Sequence, residues 1–225
     1  MNFLQLCQRV IDDGGISGTI ASVVSQSGEF KRVVNWVGEA WRKIQTRHET
    51  WRWMRATQQT AALTAGNNTL TSASFSATRW KWWYVDSFRC YQTAVGVSDE
   101  QPLTYWPYDQ FRDYFLFGSV SPGRPIVVTV APDDSLLFGP TPDVDYTIRG
   151  DYQKSTQTLA ANGDTPEFDA DFHMAIVYRA LMFYGAYESA NEVYGPAEKN
   201  YRDEMARIES IELPRIQTLV ETLVE

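Results

Sequence analysis

The stretch EFKRVVNWVGEAWRKIQTRHETWRW, residues 29–53, contains the change of pattern on which the fold turns. Phe30, Val33, Val34, Val37, Trp41, Ile44 and His48 recur at three- and four-residue spacing, one apolar stripe over about five turns. That spacing predicts a helix from about Glu29 to Glu49. From Trp51 to about Gln157 the period shortens, with β-branched and aromatic runs separated by turn residues, the mark of short strands.

Upstream, Phe3, Leu4, Cys7, Val10 and Ile11 lie at helical spacing, Asn2 with Gln5 form a capping pair, and Gly14-Gly15 end the segment. Within the central region the expected strands are Trp53 to Leu63, Thr69 to Ser72, Trp83 to Ala94, Ile126 to Val130, Leu136 to Phe138 and Tyr146 to Tyr152. Gly66-Asn67-Asn68, Pro132-Asp133-Asp134 and Pro140-Thr141-Pro142-Asp143 punctuate them. A short helix is expected over Tyr108 to Phe117 through Phe111, Tyr114 and Phe115. Ser155 to Asp164 reads as a loop.

Helix returns over Asp171 to Ser189 and Ala190 to Ile211. The first is apolar on every side, so either the bundle or neighbouring subunits must cover it. The second is two-faced, with Tyr194, Ala197, Tyr201, Met205 and Ile208 opposite a charged row. Leu213-Pro214 stops it and leaves a tail whose Ile216, Leu219, Val220, Leu223 and Val224 fit either a docking segment or a last core helix. The expected architecture is α+β: a helical bundle from the N- and C-terminal parts with an inserted antiparallel β-rich domain. The boundaries are 1–50 and 158–213 for the bundle, 51–157 for the insertion and 214–225 for the tail.

With 225 residues, 44% of them hydrophobic, the chain can bury a core without metal or disulfide. A net charge of -8 argues against affinity built on phosphate neutralisation. Cys7 and Cys90 have no metal or disulfide spacing, and buried thiols in a cytoplasmic product are expected. No run of 18 apolar residues and no secretory pattern occurs.

Catalytic templates are poorly served. There are two histidines, His48 and His173, both placed for hydrogen-bonded packing, and no phosphate loop, nucleophile elbow or zinc pattern. Asp133-Asp134 and Asp143-Asp145 could be matched to a glycosidase pair, but they sit at turn positions where Asp bonds locally. The run Trp80-Lys81-Trp82-Trp83-Tyr84 could stack sugars or bases, which makes a carbohydrate- or surface-binding tail protein the alternative reading. Core or interface packing accounts for the same residues.

Four stretches together resemble head-to-tail adaptor (connector) proteins of tailed bacteriophages: Phe3 to Arg9, Val33 to Trp41, Trp51-Arg52-Trp53-Met54-Arg55, and Phe172 to Met182. The resemblance implies a virion protein, made in the host cytoplasm, that forms a ring of twelve copies beneath the portal protein. It would hold tail or nozzle proteins while DNA passes through its channel without sequence-specific binding. It brings no catalytic residue, metal or cofactor. The expected interface residues are Trp51, Trp53 and Arg55 at the junction and Ile216, Leu219 and Leu223 in the tail.

Overall fold

The computed structural model describes residues 1–213. In chain order come α1 (Phe3–Gly14), α2 (Gly28–Arg47), β1 (Arg55–Leu63), β2 (Thr69–Leu70), β3 (Trp80–Gln92), β4 (Gln101–Pro102), β5 (Thr104–Tyr105), α3 (Tyr108–Phe111), β6 (Val127–Val130), β7 (Leu136–Gly139), β8 (Tyr146–Lys154), α4 (Met174–Glu188) and α5 (Asn191–Glu212). Helices therefore occupy both terminal parts and strands the centre, an α+β arrangement. The chain divides into two compact units, Met54–Ser155 and the remainder.

In the helical unit, α1 starts on the expected capping box: the Gln5 N–H donates to Asn2 Oδ1 and the Asn2 N–H donates to Gln5 Oε1, each at 2.9 Å. Gly15, at φ 65°, ends it in the left-handed conformation that costs glycine least. Its apolar side, Phe3, Leu6, Cys7, Val10 and Ile11, is buried. α2 buries Val33, Val37, Ala40, Trp41 and Ile44 together with the polar Gln45.

α1, α2 and α5 all pack on α4, which answers the question its sequence left open: for most of its circumference the cover is intramolecular. Ala175, Ile176, Val177, Ala180, Leu181, Met182 and Gly185 are buried. At Gly185 a side chain would press on the Tyr194 backbone, 3.0 Å away, so glycine lets α4 and α5 approach closely here. The loop before α4 is anchored by Asp164, which accepts the Ala160 and Ala161 N–H groups at 2.6 and 2.8 Å. Those backbone bonds hold its carboxyl below the usual aspartate range.

The β unit holds two four-stranded sheets, ordered β1-β8-β3-β4 and β2-β7-β6-β5. β1 and β8 run antiparallel, with Arg55 opposite Gln153 and Leu63 opposite Tyr146. Phe88, Ile148, Leu63, Leu136, Phe138 and Trp83 belong to the common core cluster. Gly150 sits directly over Phe88, where a Cβ would overlap the ring.

Several expectations need correction. The sheets are antiparallel as expected except for one short addition: β5 runs parallel to β6, and neither β4 nor β5 was expected. β3 begins at Trp80 and not at Trp83, because a register irregularity between Trp80 and Trp82 keeps the strand paired with β8. The helix at 108–117 is a single α turn followed by a π segment, Arg112–Leu116.

Candidate interaction surfaces

Of the expected interface residues, Trp51 is fully buried. Its indole N–H donates to the carbonyls of Ile44 and Gln45, 3.1 Å from each, satisfying acceptors in the last turn of α2. Trp53 stacks on it with ring centroids 4.4 Å apart and is half-buried beside Phe168. In the β unit, exposed Arg55 binds Asp151 at 2.5 Å and lies 4.0 Å over the Tyr84 ring. Ile216, Leu219 and Leu223 fall outside the described residues.

The Trp80 to Tyr84 run is divided by the strand. Trp83 is buried against Phe75 and Phe88, and the irregularity at Trp80 brings that ring to the same cluster, 5.5 Å from Trp83. Trp82 is half-buried, with the Lys81 ammonium 4.5 Å from its ring.

The acidic pairs serve their turns. Asp133 accepts the Ser135 hydroxyl at 2.7 Å and the Ser135 N–H at 3.1 Å, and these bonds lower its pKa. Asp143 accepts from the Tyr146 hydroxyl, and Asp145 from the Ala65 N–H, both at 2.9 Å. Among the described residues no group of three or more His, Cys, Asp or Glu side chains is placed to hold a metal ion. No helix among them is long and apolar enough to cross a membrane.

The histidines are packing residues. His173 is buried and stacks on Phe168 with centroids 5.4 Å apart, and burial pushes its pKa down. His48 Nε2 lies 3.0 Å from Glu209 Oε1, which also accepts from Arg47 Nε at 2.6 Å. The ends of α2 and α5 are pinned together by this carboxylate.

Two surfaces escaped the sequence reading. On the β unit, Tyr114, Phe117 and Ile126 are more than half exposed, Phe117 by 77%, around a chain of rings that includes Trp106 and Phe115. On the helical unit, Arg32 lies 4.8 Å over Tyr187, Trp36 touches Tyr184 and Tyr187, and Arg179 lies 4.9 Å from Phe183 and 5.4 Å from Tyr201. The available signal was the spacing Arg179, Phe183, Tyr187, which lines up along one side of a helix. Arginine among half-buried and exposed aromatic rings is the composition of contact anchors between proteins.

A helical framework with a β region between its two terminal parts and Arg–aromatic faces on its surface defines a protein suited to binding other proteins. The family model described as SU10 adaptor protein matches residues 1–219, and the chain belongs to that family, one of structural phage adaptors. This agrees with the resemblance to head-to-tail adaptors and implies a place in the virion. No curated protein matches the chain.

Proposed function

We infer that this chain is the head-to-tail adaptor of its virion, assembled as a ring of twelve copies beneath the portal protein and holding tail or nozzle proteins on its far side. Membership of the adaptor family over residues 1–219 carries this reading. Two physical features support it. Large rings such as Phe117 and Tyr187 stay in water in the single chain, and burial in an assembly removes that cost. A net charge of -8 suits a conduit through which DNA slides without adhering.

In this assembly Trp53 and Arg55 are contact residues, and the buried Trp51, stacked on Trp53, supports that ring. Ile216, Leu219 and Leu223 dock the tail on a partner. Mixing the purified chain with the portal protein of the same phage and measuring the mass of the product tests the proposal. A complex with many copies per portal is expected, and a chain that stays separate from the portal overturns it.

A further inference from the structure

Arg32 and Arg179 lie over aromatic rings and, among the described residues, take part in no ion pair, whereas the neighbouring Arg42 bonds Glu39 at 2.6 Å. The Nε of Arg179 is buried with no hydrogen-bond partner. Glu39 feels the Arg179 charge, but its two oxygens are held by Arg42 at 2.6 and 2.8 Å. A half-buried guanidinium with a buried Nε and no carboxylate of its own is an unfinished contact.

Elsewhere on the same unit, a cleft of about 210 Å³ is lined by Asp13, Tyr178, Leu181, Glu192, Pro196 and Asn200. Glu192 is exposed and, among the described residues, forms no ion pair, whereas Asp13 is already paired with Arg9 at 2.9 Å. Tyr178 and Leu181 project from α4 well over 90° around the helix axis from Phe183, at 100° per residue, so strip and cleft lie on different flanks.

We propose that the strip of Arg179, Phe183 and Tyr187, with Arg32 beside it, is one half of a contact between copies of this chain, and that the cleft carrying the unpaired Glu192 on the next copy is the other half. Charge complementarity selects the occupant: Arg32 and Arg179 on one flank and Glu192 on the other, all without an ion pair among the described residues, are present on every copy, and an acidic chain disfavours nucleic acid at the strip. Because the two halves are different surfaces, the contact runs head to tail and repeats around a ring when the rotation closes. This assignment deepens the adaptor reading and rests on it for the ring, but not for the contact itself.

The test uses the full chain, alone and with the portal protein. Arg179→Glu weakens association between copies by roughly 30-fold, the effect of an interface anchor. Glu192→Arg does the same, and the double variant regains most of the loss. The solvent-facing control Arg202→Glu changes association less than about threefold, as expected for an exposed pair. In parallel, Tyr187→Cys carrying a photo-crosslinker is activated and the attached peptide identified by mass.

An adduct to α1 or α5 of another copy supports the contact, even if the portal is not bound and the adaptor reading fails. Assembly on the portal with the adduct on the portal, on DNA or on no protein overturns the contact and leaves the adaptor reading standing. Absence of copy-to-copy adducts both alone and with portal overturns it as well.

Discussion

The side-chain amide of Gln45 clasps the backbone of Gln157 at two points: its Nε2–H donates to the Gln157 carbonyl at 3.0 Å, and its Oε1 accepts the Gln157 N–H at 2.6 Å. Gln45 is 2% exposed, so no water stands in for it. Gln45→Leu strands both backbone groups and is expected to cost about 2–3 kcal/mol. Gln45→Glu removes the donor and sets a carboxylate against the carbonyl, with a loss at least as large. The urea midpoint of each variant against the parent measures this.

Glu209 gives a pH-dependent counterpart. Burial raises its pKa, but bonds from His48 and Arg47 outweigh burial and leave it below the ordinary glutamate value. A lowered folded-state pKa means stability that is complete above the unfolded value, near 4.3, and that disappears as pH falls through the folded value. Glu209→Gln is therefore less stable than the parent by about 1 kcal/mol at pH 7. The two denaturation curves converge as the medium is taken below about pH 4.

Gly150 tests close packing in the β unit. Phe88 is 1% exposed and bordered by Trp83 and Phe75, so it has little room to yield to a new methyl group. Gly150→Ala is expected to cost about 1–3 kcal/mol. Gly163→Ala, where a Cβ meets nothing within 4 Å, is the matched control and stays within about 0.5 kcal/mol in the same thermal melt.

Cys7 and Cys90 are free and buried, and burial raises each thiol to about 12. The thiolate is the reactive species, so iodoacetamide at pH 8 leaves both unmodified in the folded chain. Both are alkylated in guanidinium chloride. Rapid labelling of Cys7 under native conditions contradicts the packing of α1.

The helices were legible because one side of each meets a core: Val33, Val37, Trp41 and Ile44 repeat at the spacing that the structure buries. The Asn2–Gln5 cap is local chemistry and was readable for the same reason. β4 and β5 were not, because each is two residues long and Pro102 interrupts any alternation. The parallel β5–β6 pair joins residues more than twenty apart, and no local pattern records that. That Arg32 and Arg179 lie over aromatic rings was not legible, because it depends on how neighbouring helices meet and on which carboxylates are engaged elsewhere. The burial of Trp51 was not legible, because it depends on the turn that returns its indole to the Ile44 and Gln45 carbonyls and on the Trp53 ring stacked against it.

The pairing of Arg55 with Gln153 puts the first and last strands of the β unit side by side, so its two chain ends emerge one strand spacing apart. A cassette with adjacent ends can be lifted out and its gap closed by a few residues, or exchanged for a foreign graft, without refitting the helices that flank it. Recombination between phages could then alter what the central region grips while the scaffold on either side is inherited unchanged.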